Sequence, residues 1–283
     1  MTFHQHPNTY VSQVHLLVQD VKRSIKFYQE IIGFRILSQN ERQAVLTADG
    51  KTPLLVVEQP EGAEPKQPRT TGLYHFALLL PSRADLGSAL LHLLQTQYPL
   101  QGASDHLVSE AIYLADPDGN GIEIYADTPA ESWTWNSGQV EMATKPLNAE
   151  ELLAIGNGTP WNGLPEETIM GHIHLHVAEL QEIEKFYCDG LGFDVVLKYG
   201  PQALFISTGG YHHHIGLNTW NGPGAPSPKE NAPGLKTFTL AFPKEEKENI
   251  MGRLRKLAAQ VNEMEGAFLT QDPSGNKIKL VFS

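Results

Sequence analysis

The chain repeats itself, and that repeat constrains its fold more than any other feature. Residues 14–34 read VHLLVQDVKRSIKFYQEIIGF and residues 173–193 read IHLHVAELQEIEKFYCDGLGF, an offset of 159. Residues 114–124, LADPDGNGIEI, return as TQDPSGNKIKL at 270–280, an offset of 156. A fixed-period likeness of this kind marks duplicated structural units. Each half also divides in two. Val14–Val18, Tyr74–Leu80, Ile173–Val177 and Thr237–Phe242 read as short strands that open four units. A helix follows each one. Val21, Ile25, Tyr28 and Ile32 recur at steps of three and four, as do Ile183, Tyr187 and Leu191. Leu86, Leu90 and Leu94 supply the stripe in the second unit, and Ile250, Leu254 and Leu257 in the fourth. Gly33 and Gly192 stand where a helix needs a left-handed stop. DPDGN and DPSGN read as turns that lead into a last strand.

The chain is therefore expected to be α+β, with four βαβββ modules at 10–61, 72–127, 171–220 and 235–283. Modules one and two form a first domain, 1–127, and modules three and four a second, 171–283. Segment 128–170 reads as a linker carrying Trp133, Trp135 and Trp161 at the surface, where they offer a homo-oligomer interface. Asn148 and Glu151 should cap a short helix within it at Ala149–Ile155. The Pro- and Gly-rich stretches 59–71 and 218–234 hold equivalent places in the two halves and read as surface connections or lids.

Composition narrows the function. Hydrophobic residues are 41% of the 283 and charged residues 19%, a globular balance. The net charge is −11 with no basic patch, which argues against a nucleic-acid partner. No apolar run approaches the roughly 20 residues that cross a bilayer. The start, MTFHQHPNTY, has no secretory character, and a single Cys188 excludes an internal disulfide. A cytoplasmic location is the expectation.

The 12 histidines supply the chemistry. Side chains alternate along a strand, so His172, His174 and His176 share a face. His75 lies five residues before Leu80 and His172 five before Val177, the same landmark in modules two and three. Gln13 and Thr237 take that register in modules one and four, and His15 is the equivalent of His174. Glu123 stands alone among apolar residues on GIEIYA, where a carboxylate is costly unless paired or metal-bound. Lys279 replaces it in module four. Two histidines and a carboxylate are the facial ligand set of non-heme Fe(II) oxygenases. His75, Glu123 and His172 make that set if module two packs on module three. If modules one and two pair instead, the trio is Gln13, His75 and Glu123. His174 or His214 could also replace or join His172. The run Tyr211-His212-His213-His214 is assigned to the last strand of module three, with His213 facing away from its neighbours. Tyr113 and His106 precede Glu123 by 10 and 17 residues.

GLYHFALLLP (72–81), SEAIYLADPDGNGIEIYAD (109–127), GHIHLHV (171–177) and GGYHHHIGLN (209–218) resemble the vicinal oxygen chelate superfamily, which spans glyoxalases, bleomycin-resistance proteins and extradiol dioxygenases. The likeness is nearest to the catechol 2,3-dioxygenases of Bacillus-like bacteria. It implies two domains of mixed, curved sheets. It also implies an Fe(II) enzyme, with Mn(II) the other fitting ion, that cleaves aromatic diols with O2 to 2-hydroxymuconate semialdehyde-type products. The roles it carries over are His75, Glu123 and His172 as metal ligands, His213 as acid–base, Tyr113 as substrate hydrogen-bonder and His106 as a contact to the bound diol. The better-known extradiol enzymes place their ligands in the last two modules, which Thr237 and Lys279 forbid here. The alternatives are a glyoxalase-like isomerase with a fourth ligand from His212 or His214, and a small-molecule-binding resistance protein.

Overall fold

The computed structural model describes residues 3–158 and 160–283. All four βαβββ modules are present. In each, an opening strand leads through a helix to three further strands, and the closing strand lies parallel to the opening one. These parallel pairs are Tyr10–Leu17 with Leu55–Glu58, Gly72–Leu79 with Gly121–Asp127, Ile169–His176 with Ile215–Asn218, and Gly234–Phe242 with Lys277–Phe282.

The modules do not share sheets with their neighbours in sequence. Opening strand Gly72–Leu79 pairs antiparallel with Ile169–His176, which builds a nine-stranded sheet from modules two and three. Opening strand Tyr10–Leu17 pairs with Gly234–Phe242 and makes an eight-stranded sheet from modules one and four. This corrects the expectation that modules one and two form one unit and three and four another. Opening strands have apolar residues on both faces, and such strands bury best at the centre of a sheet. Each therefore takes its partner from the other half.

Consecutive modules meet instead through their helices and turns. Tyr28 in the first helix donates its hydroxyl to Asp116 of the DPDGN turn at 2.9 Å. Tyr187 does the same to Asp272 of DPSGN at 3.1 Å. Each carboxylate also accepts from backbone N–H groups of its own turn and from the amide of Asn120 or Asn276. The sequence repeat thus records a buried tyrosine–aspartate tie made once in each half. Burial pushes both Asp carboxyls above their usual range, against the pull of those hydrogen bonds.

The helices start as their caps dictate. Asp20, Ser82, Asn148 and Glu179 each accept a first-turn N–H through the side chain. The first and third module helices, Val21–Phe27 and Leu180–Lys185, each widen into one π-turn before stopping. Gly33 (φ +90°) and Gly192 (φ +85°) then turn the chain left-handed, as expected. Leu94 departs from its assigned apolar stripe and is exposed.

Segment 128–170 is more than a linker. Its helix, Ala149–Gly156, packs against Arg83–Thr96, where Gly87 and Gly156 meet so closely that neither has room for a Cβ. Strand Lys145–Pro146 adds an edge to the nine-stranded sheet. Trp133 is buried at 8% exposure, against the expectation of a surface position, because it packs on Phe3, Tyr211 and His212. Trp161 stacks on His92, and Trp135 is exposed. Loops 59–71 and 218–234 hold each other: Thr71 N–H donates to the Pro226 carbonyl, Asn231 to that of Glu61, and Lys229 pairs with Glu64. No helix among the described residues is long and apolar enough to cross a membrane.

Candidate metal centre

Register brings the three candidate ligands together. Ala77, on the central strand Gly72–Leu79, stands opposite Glu123 on one side and His172 on the other. His75 lies two residues earlier, on the same face as Ala77. The small Ala77 side chain leaves the space above it to its three larger neighbours. His75 Nε2 is 3.0 Å from Glu123 Oε2, and His172 Nε2 is 3.2 Å from the same oxygen. One ligand atom from each residue lies within 4.8 Å of the others. All three side chains are buried, at 7%, 3% and 1% exposure for His75, Glu123 and His172.

This donor set fits a divalent cation. His75 Nε2 is at ion-pair distance from Glu123 yet lies out of line for a hydrogen bond, so it is a buried nitrogen with no hydrogen-bond partner. Burial would raise the Glu123 carboxyl, but the neighbouring His172 and His75 outweigh it and hold the group well below its usual range. His172 is pushed down, chiefly by burial. A carboxylate beside a neutral imidazole is what metal ligation requires.

The trio floors a cavity of about 400 Å³. Tyr113 stands opposite Glu123 on the neighbouring strand. His106 donates through Nδ1 to the Ala143 carbonyl at 2.7 Å, so its Nε2, 2.6 Å from the Tyr113 hydroxyl, accepts from it. Burial first, and then the Glu123 charge, raise the Tyr113 hydroxyl well above its ordinary value. His213 enters from the far side with its ring 4.2 Å from that of His172. Burial and the surrounding imidazoles hold His213 well below the usual histidine value. Leu197, Phe205, Tyr74 and Trp220 complete an apolar wall. Trp220 is the one residue from loops 59–71 and 218–234 that lines the cavity.

All six sequence-derived candidates thus meet in one cavity. The other histidines sort themselves. His174 lines the cavity but stands outside the cluster of converging ligand atoms. His214 is committed elsewhere, with Nδ1 3.0 Å from Ser207 Oγ and Nε2 3.2 Å from the Phe3 carbonyl. The run 211–214 is not on a strand, as its assignment to the last strand of module three had it. Gly209 and Gly210 both turn left-handed ahead of it, and the strand begins only at Ile215. His213 does not face away from both neighbours as the alternation had it: its Nδ1 lies 2.8 Å from His212 Nδ1, although of the three histidines it alone lines the cavity. Gln13 and Thr237 lie in the other sheet, where His15 sits 2.9 Å from Glu58 and Lys236 reaches the same carboxylate.

Sequence reasoning missed Asp127, Tyr125 and the two cavity aromatics Tyr74 and Trp220. A signal for the first two was present: Glu123, Tyr125 and Asp127 fall at alternate positions of one strand and so share a face.

The fold and this site define the class. Residues 10–124 and 169–280 match the model of the Glyoxalase/Bleomycin resistance protein/Dioxygenase superfamily, and the chain belongs to that family. It is 45% identical, over 98% of both chains, to the protein named catechol-2,3-dioxygenase of Bacillus subtilis (strain 168). It is 29% identical to biphenyl-2,3-diol 1,2-dioxygenase 3 of Rhodococcus globerulus, over 40% of this chain and 63% of that one. Among solved structures, glyoxalase I from Zea mays superimposes with a TM-score of 0.57 at 16% identity, covering 97% of this chain and 92% of its own. A protein of Bacillus subtilis subsp. subtilis str. 168 does so with a TM-score of 0.64 at 14% identity, covering 96% and 84%. At such identities these two structures speak for the fold alone.

Proposed function

We propose that this protein is an extradiol ring-cleaving dioxygenase. It opens a catechol-type ring with O2 at a metal held by His75, Glu123 and His172. The observation that carries the reading is the convergence of these three buried side chains beneath a cavity that also holds Tyr113, His106 and His213. The full-length similarity to a protein named catechol-2,3-dioxygenase supports the same reaction and substrate class. Fe(II) is the ion proposed, with Mn(II) the other that suits two imidazoles and a carboxylate. When bound, the metal would supply a cation that lowers the pKa of the diol hydroxyls and a redox-active meeting point for diol and O2.

The chain's own groups do the rest. His213 takes a proton from the diol and returns it later as an acid. The Tyr113 hydroxyl donates to His106, so its oxygen lone pairs are free to accept from a bound hydroxyl. His106 keeps the Tyr113 oxygen in place through its own bond to Ala143. Phe205, Leu197 and Trp220 exclude water from the ring. A cytoplasmic location belongs to the same proposal, given the lone Cys188.

The test is oxygen uptake by Fe(II)-loaded protein with a panel of catechols. One O2 consumed per diol, with a yellow ring-opened product, supports the reading. A tightly bound metal with no oxygen uptake on any diol overturns it.

A further inference from the structure

Behind His213 lies a polar chain that the proposed reaction has not used. His212 Nδ1 is 2.8 Å from His213 Nδ1, and His212 Nε2 is 2.9 Å from Asp127 Oδ1. The Tyr211 hydroxyl reaches the same Asp127 oxygen at 3.2 Å and stands 2.7 Å from the Tyr125 hydroxyl. Both histidines and both tyrosines are buried.

Donor and acceptor roles follow from the carboxylate, which can only accept. His212 therefore donates through Nε2. In a neutral ring this leaves a lone pair on its Nδ1, so His213 must donate to it through its own Nδ1. The nitrogen of His213 left for a bound molecule is then Nε2, without a proton. Tyr211 likewise spends its hydrogen on Asp127, so Tyr125 donates to Tyr211. Both branches run toward Asp127, and both end against the ring of His172, Tyr125 at 4.9 Å and His213 at 4.2 Å.

We propose that Asp127 and His212 are positioning residues that hold His213 in the Nδ1–H tautomer, so that its cavity-facing Nε2 is ready to accept a proton from the diol. This rests on the reading of His213 as the acid–base group. A wrong tautomer is a known way to lose turnover with the geometry intact.

Two substitutions separate this role from simple packing. His212→Asn puts an amide oxygen near the former Nδ1 and can still accept from His213. His212→Phe keeps the ring volume and accepts nothing. The readouts are the side-chain ¹⁵N shifts of His213 in the iron-free full chain, and kcat and KM of the Fe(II)-loaded protein. The wild type and His212→Asn should show a protonated Nδ1. His212→Phe and Asp127→Asn should shift the proton toward Nε2 and lower kcat roughly 10- to 100-fold, with KM little changed. A wild-type His213 protonated on Nε2, or a His212→Phe protein as active as His212→Asn, overturns the inference. If the variants do not fold, the wild-type spectrum alone decides it. A wild type that turns over no diol but shows the Nδ1–H ring sinks the functional reading and leaves the tautomer assignment standing.

Discussion

His172 Nε2 and Glu123 Oε2 lie 3.2 Å apart although 49 residues separate them in the chain. The contact exists because the opening strands of modules two and three pair antiparallel, which sets both residues across from Ala77. The metal-site proposal depends on that one strand pairing. Had modules one and two shared a sheet, Gln13 would have stood in place of His172.

Glu123→Gln removes the charge that balances two buried imidazoles. It keeps the shape of the side chain but weakens the hard, anionic donor that a divalent metal favours. Metal content after dialysis should fall, and the apparent dissociation constant should rise by at least roughly 10-fold. Elemental analysis and metal titration read this directly. Oxygen uptake should fall with metal content.

Tyr28→Phe tests the tie between the first two modules. It deletes the hydroxyl that donates to the fully buried Asp116 side of the turn. A hydrogen bond to a charged group is worth about 1.5–3 kcal/mol, and urea unfolding should show a loss of that size. Tyr187→Phe should cost a similar amount through Asp272. The metal affinity of the folded protein should not change, because neither tyrosine lines the cavity.

Acid should destabilise the protein in part through His15. Burial first, and then Lys236, depress this histidine from 6.5 to about 4, against the opposing pull of Glu58; Lys279 adds a smaller push in the same direction. Between those pH values the unfolded chain binds a proton that the folded chain refuses. Stability is therefore full above about pH 6.5 and is lost as pH falls toward 4, by up to about 3 kcal/mol from this group. His15→Gln should flatten that part of the stability curve. An unchanged slope between pH 6.5 and 4 would contradict the assignment.

Tyr113→Phe leaves the cavity shape intact and removes the hydroxyl between His106 and the metal ligands. On the proposed reading kcat should fall roughly 10- to 100-fold, a typical cost for a group that assists proton movement or holds substrate. Metal content should stay at the wild-type level. A variant with full turnover would reduce Tyr113 to a packing residue.

Much of the architecture was legible in the sequence because the repeat is periodic and local. The alternation of GHIHLHV, the helical stripes and the DP-x-GN turns each depend on neighbours within a few residues. His75, Glu123 and His172 could be picked out for the same reason, since register on a strand decides which face a residue takes. What could not be read was which strands meet. Local pattern gives an opening strand but not its antiparallel partner, so the pairing of module two with module three stood only as one option, and the domains were drawn from modules adjacent in sequence. Trp133 was misplaced for a related reason. Its partners Phe3, Tyr211 and His212 are far away in sequence. The 211–214 run looked like a strand by composition, whereas its conformation follows from two left-handed glycines and from the bonds of His214 to Ser207 and Phe3.

The central claim is that His75, Glu123 and His172 hold the metal at which a diol meets O2. Its most direct test is an anaerobic Fe(II) titration of the wild type and of His172→Ala, followed by oxygen uptake on adding catechol. The account predicts one Fe(II) bound per wild-type chain, uptake of one O2 per diol, and loss of both binding and uptake in the variant. Equal Fe(II) binding and equal oxygen uptake by His172→Ala would contradict it.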